Sequence, residues 1–243
     1  VLEEKGREPQ YDGYVESFTE NWEKLEQYDN NAPKTMNAHL HVLEAYTLLY
    51  QCWKDSSLKK RLEFCVDLFM NRIYDPSRRH FNLFFDNEWN SLVEMDSYGH
   101  DVETGWLLCE AARTLENQDL IEQTNQLALD VTEACLAEGM SDKGYMIYEK
   151  KGDRKTKHAS WWGQIETMIA CVNAWQISGS DVYLQSVDTV WTFVKDHMID
   201  KEYGEWYSDC FDGEPKKEAP KVSMWRCPYH TVRLGVEIYN RLK

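Results

Sequence analysis

The sequence has few helix-breaking residues and a shortage of positive charge. Glycine occurs 12 times and proline 6 times among 243 residues, and no tract rich in either divides the chain, so we expect no interdomain linker. Lysine and arginine number 27 against 42 acidic residues, which gives a net charge of −15. This charge argues against nucleic acid and against an anionic membrane surface as partners. The apolar runs are also far too short to span a bilayer.

A secretory signal and paired-cysteine motifs are lacking as well. No basic segment followed by an apolar stretch opens the chain, and the seven cysteines include no C-x-x-C pair. Most of them fall inside helical patterns, namely Cys52, Cys65, Cys109, Cys135 and Cys171. We therefore expect reduced, buried thiols in a cytoplasmic protein.

The opening segment differs from the rest of the chain. Residue 1 is Val instead of Met, and residues 1–31 show no clear helical pattern. This segment has the character of short extended pieces, as at Tyr11–Phe18, joined by polar loop. We expect the chain to begin within a longer protein.

From Asn37 onward, hydrophobic periodicity predicts seven helices that come in pairs. Their expected ranges are 37–54, 57–74, 99–116, 119–138, 160–178, 181–198 and 228–242. The second helix of a pair is amphipathic, whereas the first is apolar nearly all round, as in residues 42–50 and 168–175. Aromatic-rich extended segments at 79–86, 145–150 and 204–208 predict short hairpins or rim loops. The chain therefore alternates inner and outer helices.

Residues suited to acting on a ligand, three histidines and a tryptophan, recur where the inner helices begin. His41, His100, Trp162 and His230 follow one another at spacings of 59, 62 and 68 residues. A period near 60 with one helical hairpin per repeat is typical of a repeated αα architecture. Such hairpins, stacked about an axis, bring the starts of their inner helices to one polar cleft. The ten Trp and fourteen Tyr suit a pocket that stacks on sugar rings or other flat ligands.

His100 and Glu103 lie three residues apart in the first turn of the third predicted helix. A carboxylate at that spacing can orient an imidazole and stabilise its protonated form, as a proton-transferring histidine requires. A surface His–Glu pair explains the same spacing. His39 points away from His41 on a helix, so we interpret it as structural. We expect His80, His158 and His197 to face solvent.

Four ordered motifs resemble those of the cellobiose 2-epimerases, within the N-acylglucosamine 2-epimerase superfamily. They are NAHLHVLEAY (37–46), SYGHDVETGWLL (97–108), WWGQIE (161–166) and KVSMWRCPYH (221–230). The resemblance implies an all-α fold, an (α/α)6 barrel of twelve helices. About seven helices, with short β-hairpins at the rim, would then form a single domain over residues 1–243. The chain would be the C-terminal part of the barrel, stable and active only if the absent N-terminal helices come from elsewhere.

The resemblance also implies the reaction, which is epimerisation at C2 of the reducing-end sugar of β-1,4-linked disaccharides. Cellobiose would become glucosyl-mannose and lactose would become epilactose, through a cis-enediolate and without a metal or other cofactor. His100 and His230 would transfer the proton, in an order that stays open. His41 would assist ring opening, and Glu103 would orient His100.

The same resemblance implies the residues that bind the sugar. Asn37 and Glu166 would bind hydroxyl groups, Trp162 and Trp225 would stack on the sugar rings, and Trp161 would line the site. The sequence departs from the family at Gly163, where proline is usual, and at Ala38, where threonine is common. The barrel front, which supplies an arginine and a tyrosine to the sugar pocket in this family, has no counterpart.

Other functions stay open at this point. The chain could be an N-acylglucosamine 2-epimerase or a mannose isomerase of the same superfamily, or an inactive sugar-binding remnant. A metal site from His39, His41 and Glu44, or from His100 and Glu103, matches no standard ligand set. The oligomeric state is left open by the sequence.

Overall fold

The computed structural model describes residues 1–25 and 31–243, and seven α-helices occur within these ranges. Each predicted helix is confirmed, with ends that differ by a few residues. The helices are α1 (Met36–Cys52), α2 (Ser56–Leu68), α3 (Tyr98–Leu115), α4 (Gln118–Gly139), α5 (Trp161–Ser178), α6 (Val182–Phe193) and α7 (Tyr229–Arg241).

Two of these helices continue into a turn of π-helix. Phe69–Ile73 extends α2, and Val194–Met198 extends α6, which accounts for the longer predicted ranges 57–74 and 181–198. A third π-helical segment, Leu2–Gly6, lies in the opening segment, where the prediction of no helix is wrong. Residues 26–30, near the end of the predicted polar loop, lie outside the described residues.

Side-chain caps set the start of three helices. The hydroxyl of Thr35 accepts the N–H of Ala38 at the start of α1, and Asp55 caps α2 in the same manner. Ser160 caps α5 by accepting the N–H of Gly163. These interactions satisfy backbone donors that have no partner within the helix, so the capping residues fix where the first turns, and the side chains on them, begin.

Within the described residues, short strands lie beside the helices in small pairings, the kind of sheet that was predicted; two of them fall in the predicted segment 79–86 and none in 204–208. The strands are β1 (Lys34–Thr35), β2 (Tyr74–Asp75), β3 (His80–Phe81), β4 (Phe84–Phe85), β5 (Met95–Asp96), β6 (Lys150–Lys151), β7 (Arg154–Lys155), β8 (His158–Ser160), β9 (Asp209–Phe211) and β10 (Glu214–Pro215). Strand β1 pairs with β4, β2 with β3, β6 with β7, and β9 with both β8 and β10. Because β8 runs directly into α5, this small sheet fixes the start of that helix.

The backbone divides into two compact units. The first comprises Val1–Asp96 and Leu107–Ile121, and the second comprises Ser97–Trp106 and Glu122–Lys243. In the first unit α1 packs on α2, and in the second α5 packs on both α6 and α7. All α5 residues from Gly163 to Ala174 are buried, which confirms the prediction of an inner helix there. The single domain over residues 1–243 stays a prediction.

The structure confirms some of the sequence predictions about which cysteines and histidines are exposed and contradicts others. All seven cysteines are free, but Cys52, the last residue of α1, is exposed, so the expectation of a buried thiol is wrong there. His80 is buried because it lies in a β-hairpin instead of a solvent-facing loop, which corrects its predicted exposure. His197 is exposed as predicted. His158 is half-buried, with its Nε2 2.6 Å from Asp209. No described helix combines the length and the apolar character needed to cross a bilayer.

Candidate active site

Three helices of the second unit bring acidic, basic and aromatic side chains to one place. The contributing residues are His100, Glu103 and Trp106 from α3, Trp161, Trp162 and Glu166 from α5, and His230 and Arg233 from α7. Spacings of three or four residues put the members from one helix on the same face. One ligand atom each of Glu103, Glu166 and His230 lies within 4.8 Å of the others.

Glu166 is the centre of this group. Its side chain is fully buried, and its Oε2 accepts the indole N–H of Trp106 at 2.9 Å. Its Oε1 lies 2.7 Å from Nδ1 of His230 and 3.1 Å from Nη1 of Arg233. An ionised carboxylate only accepts hydrogen bonds, so Nδ1 of His230 carries the proton and a neutral ring keeps its lone pair at Nε2. Glu166 therefore fixes the tautomer and the orientation of His230.

Arg233 connects this carboxylate to a second one. Its Nη1 donates to Glu103 at 2.7 Å and to Glu166 at 3.1 Å, and all three side chains are largely buried. Its guanidinium also lies 4.2 Å from the ring centroid of Tyr229 and 5.3 Å from that of Trp106. Two buried carboxylates thus face one guanidinium, and a protonated His230 would bring the group to neutrality.

His100 and His230 lie on the same tryptophan. The centroid of the His100 ring is 4.6 Å from Trp162 and that of His230 is 5.8 Å from it. With 4.6 Å and 5.8 Å as two sides of a triangle, the imidazole centroids are at most about 10 Å apart. Two nitrogens that transfer protons on opposite faces of one carbon must each come within about 3 Å of the atom that carries the proton. The geometry is compatible with that requirement.

Gly99 permits this arrangement by leaving space for the Trp162 ring. A Cβ at Gly99 would lie 2.7 Å from Cζ3 of Trp162 and 3.2 Å from Cα of Gly163. Real side chains do not tolerate the first distance, and backbone restricts movement on the other side. The α3 and α5 helix starts can therefore approach closely only with glycine at position 99.

The other two predicted tryptophans differ in their surroundings. The Trp161 ring meets the His230 ring edge-on at 6.2 Å, and its buried Nε1 has no hydrogen-bond partner. Trp225 lies in the loop before α7 and is 82% exposed. The structure thus brings Trp161 next to His230. The side chain of Trp225 is exposed to solvent, in the loop that leads into the helix of His230.

Asn37 and His41 belong to the first unit, in the first two turns of α1. Nδ1 of His41 lies 3.3 Å from Glu44, its neighbour one turn along, and Asn37 is half-buried. Their approach to the residues of the second unit stays a prediction. His39 on the same helix is fully buried and bonded to backbone, with Nδ1 2.7 Å from the Thr35 carbonyl, as expected of a structural histidine.

The sequence did not identify three residues that contact the predicted ones. Ser97 places its hydroxyl 2.8 Å from Nδ1 of His100. Arg233 contacts Glu103, the residue that was expected to orient His100, so that orienting role stays a prediction. Arg233 and Trp106 lie three residues after His230 and Glu103 respectively, and this i,i+3 spacing is the signal that could have found them.

The donor set formed by Glu103, Glu166 and His230 resembles a metal site in composition. A cation already lies between the two carboxylates, because Arg233 donates to both. A divalent ion could take that position only by displacing the guanidinium. The arrangement therefore fits acid–base chemistry in which this chain supplies the positive charge.

Comparisons with known proteins place the chain among sugar epimerases in sequence and fold. A cellobiose 2-epimerase of Bacteroides fragilis is 39% identical over 236 residues, and that of Dictyoglomus turgidum is 36% identical. The structure of cellobiose 2-epimerase from Bacillus thermoamylovorans superimposes with a TM-score of 0.94 at 34% identity, covering 99% of this chain and 63% of that one. A D-mannose isomerase structure with a TM-score of 0.80 at 19% identity shares the fold.

The fold is accordingly that of the (α/α)6-barrel epimerases over the part that the chain covers. The family described as N-acylglucosamine 2-epimerase (GlcNAc 2-epimerase) matches residues 1–233, and the chain belongs to this family. It aligns with 59% of the Bacteroides relative and 60% of the Dictyoglomus relative, while 93% and 95% of this chain are covered. The chain thus spans about three fifths of the length of these relatives.

Proposed function

We propose that this chain carries the proton-transfer centre of a sugar 2-epimerase that acts on the reducing end of β-1,4-linked disaccharides. The main support is that two imidazoles, those of His100 and His230, both contact the ring of Trp162. An epimerase must remove a proton from one face of a carbon and return one to the other face. Two separately held bases around a ring-stacking surface meet that requirement.

The reaction starts with opening of the pyranose to the aldehyde. The C1 carbonyl acidifies the C2 proton, and one histidine takes that proton as the C2–H bond breaks. The electron pair moves into a C1–C2 double bond, which gives a cis-enediolate. The second histidine, protonated, then donates its proton to C2 from the opposite face. One imidazole has gained a proton and the other has lost one, so exchange with water resets the pair.

The contacts of His230 suit either half of this cycle. Glu166 holds Nδ1–H, so Nε2 is the nitrogen that accepts or donates the transferred proton. The neutral ring can accept the proton at Nε2, and the protonated ring can return a proton from the same nitrogen. His100 has the hydroxyl of Ser97 on Nδ1, which can accept a hydrogen bond or donate one and therefore tolerates both protonation states.

The remaining predicted roles complete the proposal. His41 would assist ring opening, Asn37 would bind hydroxyl groups, and Trp161 and Trp225 would contact sugar rings. Glu166 would bind a hydroxyl group and Glu103 would orient His100, and the contacts observed for these carboxylates add roles through His230 and Arg233. The higher identity to cellobiose 2-epimerases than to a D-mannose isomerase supports a disaccharide over a monosaccharide as substrate.

The test is solvent exchange at C2. The chain is co-purified with the N-terminal helices expected to complete the barrel and is incubated in deuterated water with cellobiose, lactose and mannose, and C2 deuterium is followed by NMR. Exchange with the disaccharides alone, lost in His100→Asn and in His230→Asn but retained in His197→Asn, supports the proposal. Exchange with mannose alone supports a monosaccharide isomerase. Sugar binding without any exchange indicates an inactive remnant and overturns the proposal for this chain.

A further inference from the structure

Arg226 is a buried cation that the proposed chemistry does not use. It lies four residues before His230 and is 3% exposed. Its Nη2 donates to the carbonyl of Trp206, and its Nη1 lies 3.4 Å from the carbonyl of Pro220. The carboxylate of the more exposed Glu205 lies 3.8 Å from Nη2 of Arg226. Burial lowers the pKa of this guanidinium, as expected for a charge that rests mainly on carbonyl dipoles.

The backbone of Arg226 closes a tight turn. Its N–H donates to the Ser223 carbonyl at 3.2 Å, and the Ser223 N–H donates back to its carbonyl at 3.0 Å. The two residues between them, Met224 and Trp225, are 85% and 82% exposed. Arg226 is therefore the buried last residue of a turn whose exposed tip carries Trp225.

The same guanidinium reaches the start of α5. It lies 5.1 Å from the ring centroid of Trp161, which in turn meets His230. Its Nε and the Nε1 of Trp161 are both buried without a hydrogen-bond partner. The cation–π contact with this indole therefore links Arg226 to the candidate site.

The turn is held from a second point as well. The Lys221 ammonium donates to the carboxylate of Asp200 and, at 2.6 Å, to the carbonyl of Gly204. Lys221 thus binds the outer part of the 200–206 loop, whereas Arg226 binds its inner end at Trp206. Of these two anchors, only Arg226 also contacts an aromatic ring of the candidate site.

We propose that Arg226 is a positioning residue that fixes the Trp225 turn relative to the ring of Trp161. This inference rests on the proposed function, since it takes Trp225 as a contact for the sugar. A ring held at the tip of a fixed turn binds substrate and transition state alike. Loosening the turn should therefore weaken substrate binding more than the proton-transfer step.

The kinetic test compares Arg226→Lys with Trp225→Ala and the double variant. Lysine keeps the charge but loses the planar group that spans two carbonyls and stacks on an indole. We expect KM for cellobiose to rise about tenfold in Arg226→Lys, with kcat within about twofold of the parent. In the Trp225→Ala background, Arg226→Lys should change KM by less than about twofold, because its effect acts through a ring already removed.

A second measurement does not depend on turnover. The chain is labelled with 5-fluorotryptophan, and the fluorine signals of Trp161 and Trp225 are assigned with Trp161→Phe and Trp225→Phe. We expect Arg226→Lys to shift both signals, whereas the exposed control Arg154→Lys should leave both in place. A parent protein without C2 exchange would contradict the proposed function alone, since the fluorine signals still report on the turn.

Two results would overturn the inference. One is a pair of fluorine signals that do not move in Arg226→Lys. The other is a kinetic pattern without the expected coupling. In that pattern, kcat and the melting temperature fall while KM is unchanged, or the effects of Arg226→Lys and Trp225→Ala on KM multiply in the double variant. Either pattern would show that Arg226 only supports the fold.

Discussion

Arg233 donates from a single nitrogen, Nη1, to Glu103 at 2.7 Å and to Glu166 at 3.1 Å. These carboxylates come from α3 and α5, whereas the arginine comes from α7. One buried guanidinium therefore ties together the three helices that carry the proposed proton-transfer residues. The position of His230, one turn before Arg233 on α7, depends on the same contact.

Replacing Arg233 with methionine should destabilise the protein strongly. The change leaves two buried carboxylates without their cation, which typically costs about 3–5 kcal/mol. Urea unfolding at neutral pH measures the loss. Arg154→Met, at an exposed position in β7, is the matched control and should change stability by less than about 0.5 kcal/mol. Equal stability of the two variants would contradict the structural role assigned to Arg233.

Replacing Glu166 with glutamine should spare the fold more than the chemistry. Glutamine keeps the shape and can still accept from Trp106, but it removes the charge that favours protonated His230. We expect kcat for C2 exchange to fall about a hundredfold, within the range of general acid–base effects. Asn173→Asp, a change on the same helix away from His230, tests whether any altered charge in α5 has this effect. A kcat unchanged in Glu166→Gln would show that His230 needs no carboxylate.

The sequence predicted the helices well because their signals are local. Periodic apolar residues and capping residues such as Thr35 and Ser160 act within a few positions of one another. The same locality explains the grouping of His100, Trp162 and His230, since each stands at the start of an inner helix.

Contacts between helices were predicted less well for the opposite reason. The i,i+3 spacing pointed from Glu103 to His100, and it gave no sign that Glu103 also contacts Arg233, 130 residues away. Such pairing depends on how α3 and α7 approach, which no local pattern encodes. The burial of His80 was missed similarly, because two-residue strands are too short to show alternation.

Replacing Gly99 with alanine should displace the Trp162 ring. The new methyl group would overlap Cζ3 at 2.7 Å, and overpacking of this kind costs about 1–3 kcal/mol. We expect kcat/KM to fall by about tenfold or more because both imidazoles contact the displaced indole. Gly235→Ala, in α7 with nothing within 4 Å of the added atom, should instead be neutral or stabilising by up to about 1 kcal/mol. Indole fluorescence and unfolding curves distinguish the two variants.

The isolated chain should associate or unfold non-cooperatively unless further helices cover it. Helix α7 exposes half or more of Val232, Val236 and Tyr239, as does Leu242 directly after it, and the helix lines an apolar cavity of about 660 Å³ in the second unit. Exposed apolar patches of this kind mark contact surfaces. We propose that helices corresponding to the remaining two fifths of the relatives' length cover it and are required for activity. Size-exclusion chromatography and thermal melting test this, and a compact monomer with a cooperative transition would contradict it.

Folding stability should fall with acidification because of His39 in the first unit. The Tyr14 N–H donates to Nε2 at 2.8 Å and Nδ1–H donates to the Thr35 carbonyl, so a second proton has no place. Burial lowers the pKa of His39 from 6.5 to about 4. The unfolded chain thus binds a proton between those values that the folded protein does not. The stabilisation is complete above pH 6.5 and is lost as the pH falls toward 4.

The size of this effect follows from the shift in pKa. A difference of about 2.5 pKa units corresponds to about 3 kcal/mol. His39→Gln can keep one donor and one acceptor but does not titrate, so the parent's advantage in stability should shrink by up to that amount between pH 7 and pH 4. Unfolding curves across this range measure it, and His197→Gln, at an exposed site, serves as the control. Parallel pH profiles for the parent and His39→Gln would show that the pKa of His39 is the same in the folded and the unfolded protein.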